Sequence, residues 1–224
     1  SDESARHRLE RAGVETIAAD LLDRGEVSRL PRVDNIVFMA GRKFGTAGAE
    51  HLTWAVNALV PANVVEHCRA SRIAAFSTGC VYELRRPEQG GSRESDRPAP
   101  VGEYAQSCLA RERVFEHASH RHGTPVCLIR LNYAIDLRYG VLHDIGRAVL
   151  AGEPIDLGTG HFNCIWQRDA NAGALLTLEH AASPPQILNL TGPETVSVRE
   201  VATRLGDLLG RAPRFEGTEG GAVY

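Results

Sequence analysis

Lysine is almost absent from this sequence. Of 25 basic side chains in 224 residues a single one, Lys43, is a lysine, so any chemistry that needs an amine has one candidate. The five cysteines, at 68, 80, 108, 127 and 164, form an odd set with no C-x-x-C pair, and no apolar segment resembling a signal peptide opens the chain. Both absences argue against a disulfide framework and fit a reducing cytoplasm. No apolar run approaches the roughly 18 residues that a spanning helix requires, so a soluble protein with no membrane partner is expected. Surplus positive charge is missing too. With a formal net charge of -3 the chain has no basic stripe of the kind nucleic acid demands, and nucleic acid is not expected as a partner.

What is present is ordinary for a globular protein: 43% hydrophobic and 24% charged residues, enough for one domain, or one domain with a small appendage. Short apolar, β-branched runs alternate with longer helical patterns, which signals β-α-β units around a parallel sheet. "VETIA" (14–18), "NIVFMA" (35–40), "IAAFST" (73–78), "PVCLIRL" (125–131) and "QILNL" (186–190) read as strands, almost continuously apolar as buried parallel strands are. Residues 53–70, 104–121 and 168–182 read as helices. The charged, Pro- and Gly-rich stretch 83–103 reads as a surface loop. Near the end Ser197 stands three residues before Glu200, a capping box that opens another helix.

Parallel sheets of this kind bind ligands beyond the carboxyl ends of their strands, which singles out the residues that follow each one. After "NIVFM" come Ala40, Gly41, Arg42 and Lys43; after "IAAFS" come Thr78, Gly79 and Cys80; after "CLIRL" come Asn132 and Tyr133. Tyr104, at the start of its helix, completes the ring around one crevice.

These pieces, in this order, resemble the extended short-chain dehydrogenase/reductase family, the NAD-dependent epimerase/dehydratase group acting mainly on nucleotide sugars. "FSTGCVY", a polar loop containing proline, and "YAQSC" opening a helix carry the likeness most clearly. "VETIAADLLD" resembles the family's third strand with its adenine-side acid, which places Asp20 and Leu21 there. "VFMAG" resembles the fourth strand, "WAVNALVPANVVEHC" the helix with a structural asparagine, here Asn57, and "ILNLTGPETVSVREVATRLGDLLG" the seventh strand and C-terminal helix.

The resemblance implies a Rossmann-like doubly wound α/β sheet. Residues 1–132, with strand 186–190 returning to the sheet, would form a partial dinucleotide-binding domain, and residues 133–224 mainly a substrate-binding lobe, interleaved with it. It further implies NAD or NADP as cofactor, a small-molecule substrate such as a nucleotide sugar, and a homodimer joined through helices 53–70 and 104–121. The family's tyrosine moves a proton to or from a substrate hydroxyl, a Ser or Thr hydrogen-bonds the same oxygen, and a lysine four residues after the tyrosine holds the ribose and lowers the tyrosine pKa. By position Tyr104 and Thr78 take the first two roles. Cys108 takes the lysine's place on the same helical face, without its charge. Ala40, Gly41 and Lys43 fall at the cofactor, and Lys43, Asn132 and Tyr133 at the substrate; Asn132 comes one position earlier than the family's R-x-x-N places its asparagine, leaving Tyr133 at that site.

Free tyrosine titrates near 10, so about one in a thousand is phenolate at pH 7, and a neighbouring cation shifts a pKa by about 1 to 3 units. Losing the lysine is therefore expected to remove about 10 to 1,000-fold of available base. Arg111, seven residues on from Tyr104, has the spacing to reach back toward the ribose, although a solvated or salt-bridged surface arginine is the plainer expectation. Cys108 reads as a packing residue before it reads as a nucleophile, Lys43 can equally be a surface lysine, and Trp166 and His143 read as core or surface positions. The glycine-rich G-x-x-G-x-x-G turn of the family is missing, as are the two strands that lie between its third and fourth. The expectation is of a piece of a longer product whose strand 14–18 has no neighbour. Two rivals stand beside the sugar-acting oxidoreductase: a silent NAD(P)-binding sensor or scaffold, and a reductase of a non-sugar substrate.

Overall fold

The computed structural model of the chain describes residues 3–219. Four parallel strands make one sheet: β1 (Asn35–Phe38), β2 (Arg72–Thr78), β3 (Val126–Leu131) and β4 (Gln186–Leu190), in the order β1-β2-β3-β4. In-register neighbours such as Ile36 with Ile73, Ala75 with Leu128 and Ile129 with Leu188 carry the apolar runs straight across it. Helices fill the crossovers, as parallel pairing requires. α1 spans 50–67 with a π-turn at Ala55–Leu59, and α2 is Gly102–His122. α3 (Val141–Ala151), α4 (Gln167–Leu176) and α5 (Val198–Leu209) follow.

Alternate strand residues point to opposite faces, and both faces are covered. Ile73, Ala75, Val126 and Leu128 pack under Val60 and Val64 of α1 and Phe115 of α2. Ala74 and Ile129 meet Ala174 of α4 on the other side. Phe115 is fully buried and meets Phe38 edge-on at 5.2 Å; burying such a ring is worth about 1.5–3 kcal/mol. A second core gathers Ile145 and Val149 of α3, Val198 and Ala202 of α5, and Ile155, Leu157 and Phe162 between them. The short parallel pair Ala134–Ile135 and Ile165–Trp166 leads from the ends of the sheet strands into that core.

The expected strands at 35–40, 73–78, 125–131 and 186–190 all enter this sheet, the first ending at Phe38. The expected strand at 14–18 does not form. Val14 and Ile17 stand about half exposed, and among the described residues no strand lies beside them, so the apolar run has no ladder to join. The expected helix 168–182 stops at Leu176 and tightens into a 3-10 turn over Thr177–His180. α2 ends where Gly123 takes φ +72, a left-handed cap that glycine adopts without penalty. Ser197 caps α5 by accepting from the Glu200 amide at 3.3 Å.

Candidate functional site

The carboxyl ends of β1, β2 and β3 open into a crevice of about 750 Å³, whose lining includes Lys43, Thr78, Cys80, Tyr104, Asn132 and Tyr133. Each is there for a local reason. Thr78 ends β2 in extended conformation, and its hydroxyl accepts from the Cys80 amide at 3.2 Å to start the tight turn Gly79–Val81. Tyr104 sits in the first turn of α2. That turn is tied to α1 by the Trp54 indole, which donates to the Glu103 carboxylate.

The Tyr104 hydroxyl lies close enough to Thr78 and, one turn along the helix, to Cys108 for both side chains to act on its titration. Burial raises the Tyr104 pKa well above that of free tyrosine. Cys108 and Cys80 add to the rise, and Thr78 opposes it. The thiol of Cys108 is fully buried beside Val81 and Tyr82 and is itself pushed up by burial, against a pull downward from Arg111. A neutral, protonated phenol beside a neutral thiol is the resulting state at neutral pH. This pair holds its protons at neutral pH, gives them up less readily than free tyrosine and cysteine, and leaves little phenolate to act as a base.

Lys43, which also lines the crevice, brings its ammonium to 5.3 Å from the Phe44 ring centroid and 6.0 Å from that of Tyr133. Tyr133 has φ +37, a left-handed conformation rare for a bulky residue. Its ring packs edge-on against Phe162 at 6.3 Å, and its carbonyl accepts from the Ile165 amide. Strain of about 1–3 kcal/mol is thus held at the crevice wall by packing around it. The Asn132 amide donates to the Leu190 carbonyl at 3.1 Å, which anchors this corner to β4.

Arg111 is neither on the surface nor in the crevice. It is 5% exposed, donating to the Phe76 carbonyl at 2.9 Å and to the Asn57 side-chain oxygen at 2.7 Å. The surface expectation is overturned because a guanidinium can be buried where fixed acceptors meet its fork, and β2 and α1 supply them. Asn57 lies in the π-turn of α1, a type of bulge frequent at functional sites. It accepts from the Arg42 amide and donates to the Arg42 carbonyl and to Ser107 Oγ, which donates on to the Tyr104 carbonyl. One buried amide therefore fixes both the 41–43 turn and the helical turn that carries Tyr104. Gly41 is required there: a Cβ at that position would stand 2.6 Å from the Arg111 guanidinium.

Other expected site residues fall away from the crevice. Asp20 caps a local turn by accepting from the Leu22 amide, and the Leu21 carbonyl accepts from Asn63. Ala40 packs against the core beneath the sheet, and Gly41 faces Arg111. Cys108 lies behind Tyr104. Trp166 is 42% exposed and His143 pairs with Asp144 on α3. Phe44, Tyr139 and Asp144 also line the crevice. Phe44 adjoins Lys43 and had that positional signal; Tyr139 and Asp144 had none, being brought in by the folding of the second core.

Among the described residues no cluster of His, Cys, Asp and Glu is placed to hold a metal ion, and no helix is long and apolar enough to cross a membrane. The model of the NAD dependent epimerase/dehydratase family matches residues 1–190. Comparison with curated proteins yields no match. Among solved structures, UDP-glucose 4-epimerase of Thermus thermophilus in complex with NAD aligns over 92% of this chain and 73% of its own, with TM-score 0.76 and 22% identity. UDP-glucuronic acid 4-epimerase of Bacillus cereus, in complex with NAD, aligns over 97% and 75% with TM-score 0.76 and 16% identity. RMD of Pseudomonas aeruginosa, complexed with NADPH, aligns over 96% and 81% with TM-score 0.78 and 18% identity. At such identities the likeness is one of fold.

Proposed function

The chain belongs to the NAD-dependent epimerase/dehydratase family, and on that premise we propose that it is an NAD(P)-dependent oxidoreductase acting on a hydroxyl of a sugar or nucleotide sugar. The observation that carries this is that Thr78, Tyr104 and the chain's one lysine line the same crevice. The residues present fit the nicotinamide end of a dinucleotide, since the hydroxyl-bearing side chains Thr78 and Tyr104 line one crevice beside each other. For the pyrophosphate no G-x-x-G-x-x-G turn is found in these residues, so no contact there is assigned. When bound, NAD(P) supplies the acceptance and return of hydride.

Tyr104 is the acid/base: its hydroxyl holds the proton exchanged with the substrate oxygen. Thr78 hydrogen-bonds that same oxygen and keeps the phenol aimed at it. Lys43, Asn132 and Tyr133 are the substrate-side contacts, with Lys43 offering its charge to a phosphate. A homodimer formed through α1 and α2 belongs to the same reading; a groove of about 540 Å³ between them is lined by Ala62, Val65, Val114 and Ala118 together with charged and histidine side chains. A second reading, a dinucleotide-binding protein without turnover, is favoured by one observation: Cys108 drives the Tyr104 pKa up where a lysine would drive it down.

Hydride-exchange rates of wild type and Tyr104→Phe against a panel of nucleotide sugars test the proposal. General acid/base catalysis contributes about 10²–10⁴-fold, so a loss of that size is expected. Equal rates would sink the catalytic assignment, and absence of dinucleotide binding would sink both readings.

A further inference from the structure

A second cavity, of about 220 Å³, adjoins the crevice. Asn132 lines both. Gly79 lines the second and sits in the chain between Thr78 and Cys80, which line the first. The two spaces meet at a close contact, because a Cβ at Gly79 would stand 3.3 Å from Cβ and Cγ of Asn132.

The cavity has a rigid polar side. Arg130, 2% exposed, is gripped by the Glu112 carboxylate at 2.8 and 3.0 Å and donates to the Tyr82 hydroxyl at 2.7 Å. Tyr82 donates on to the Asn189 side-chain oxygen at 2.7 Å, and the Asn189 amide nitrogen donates to the Ser92 carbonyl at 3.0 Å, tying the 83–92 loop to the end of β4. From the other side Asn163 donates to the Glu194 carbonyl at 2.7 Å and steadies the 191–195 turn.

The charges lining this cavity cancel. Arg130 is paired with Glu112, and Arg85 lies 3.0 Å from Asp96. That leaves Arg86 and Glu83, one of each sign. A phosphate or carboxylate would gain nothing net here. The remaining polar lining is made of groups that both donate and accept, the amides of Asn132, Asn163 and Asn189 and the hydroxyls of Thr191 and Thr195, set beside apolar surface from Leu84. Mixed donor and acceptor groups next to apolar surface suit a ring with hydroxyls at its rim and C–H on its faces. The volume lies below the roughly 300–1,000 Å³ of pockets for larger ligands, which allows one sugar ring and not a nucleotide.

We propose that this cavity is a subsite for an uncharged, hydroxyl-rich group of about one sugar ring, carried by the substrate beyond the carbon at which Tyr104 acts. The inference rests on the crevice being the reaction site only for the direction from which the group enters. Gly91 lies in the lining with no atom within 4 Å of a Cβ built on it, so Gly91→Phe adds a ring to the loop without a backbone clash. Thr195→Trp does the same from the opposite turn, which covers the case in which the ring introduced by Gly91→Phe turns to solvent.

The test is binding of methyl α-D-glucopyranoside and, as the charged comparison, methyl α-D-glucopyranosiduronate, followed by saturation-transfer NMR on the protein as it stands. The neutral glycoside should bind wild type, bind at least tenfold more weakly to one or both filled variants, and outbind the uronate. No binding to wild type, or equal binding to all three proteins, overturns the subsite. A second arm measures inhibition of nucleotide-sugar turnover by the neutral glycoside. Competitive inhibition supports a substrate-borne group, and non-competitive inhibition overturns that link in favour of a free sugar. Because the binding arm needs no turnover, an inert crevice and an absent subsite give different results.

Discussion

Replacing Cys108 by lysine asks directly whether the missing cation limits this site. In the native protein the Tyr104 phenol is raised by burial and then further by Cys108, through both charge and hydrogen bond. Cys108→Lys removes both effects of the thiol and sets a cation one helical turn from the phenol, where an opposite charge lowers a pKa by about 1 to 3 units. Each unit is tenfold in phenolate at fixed pH, so Tyr104 phenolate at neutral pH should rise about 10 to 1,000-fold. Two effects oppose this. The position is fully buried against Val81 and Tyr82, which depresses the lysine's own pKa, and the extra volume costs about 1–3 kcal/mol of stability. The net shift should therefore lie toward the lower end of the range, while Cys108→Ala, which only removes the thiol, should lower the phenol less. The measurement is an ultraviolet tyrosinate titration of Cys108→Lys minus that of Cys108→Lys/Tyr104→Phe, paired with hydride-exchange rates. A folded Cys108→Lys protein whose Tyr104 titrates no lower than in wild type would refute the electrostatic reasoning. A lowered phenol with an unchanged rate would show that proton transfer does not limit turnover.

Glu112→Gln leaves the Arg130 guanidinium buried without its carboxylate, the pair being 1% and 0% exposed. A loss of about 3–5 kcal/mol is expected from denaturant midpoints, with the double variant Glu112→Gln/Arg130→Met recovering part of it. Arg111→Met strands the Phe76 carbonyl and one acceptor site on Asn57 and should cost about 1–3 kcal/mol. Stability should also fall at high pH in a way that Tyr104 controls. Its folded pKa is raised, so below about pH 10 both states hold the proton and stability is full; above that the unfolded chain releases its proton first and stability declines as pH rises toward the folded value. Tyr104→Phe should flatten that decline in denaturant titrations stepped upward from about pH 9.

The sheet was readable in the sequence because buried parallel strands need continuous apolar runs and each of the four had one. Residues 14–18 carry the same pattern without forming a strand, since pairing depends on a neighbour that no local pattern encodes. At the crevice, Lys43, Thr78, Asn132 and Tyr133 were picked out by one rule, that side chains just beyond strand ends converge, and Tyr104 by its place at the start of a helix. Ala40 and Gly41, singled out by the same rule, do not line the crevice: Ala40 packs against the core and Gly41 faces Arg111. Spacing placed Arg111 on the Tyr104 face of its helix, but its destination was set by Asn57 and the Phe76 carbonyl, 54 and 35 residues away. Arg130 did carry a signal, a charge inside the apolar run "VCLIRL", which a buried strand permits only with a partner; that Glu112 is the partner became visible only in three dimensions.

These placements also explain why the Arg111 guanidinium does not stand in for a lysine. Arg111 lies three residues beyond Cys108, close enough to pull on the thiol, yet its donors at Nη1 and Nη2 are directed to Phe76 and Asn57. Turning it toward Tyr104 would break the clamp that fixes the 41–43 turn and, through Asn57 and Ser107, the turn bearing Tyr104 itself. The arginine that keeps the phenol in position is thus held from lowering its pKa. A gain in base strength at this site would have to come from position 108, from Lys43 in the same crevice, or from the charge an oxidised nicotinamide would supply when bound.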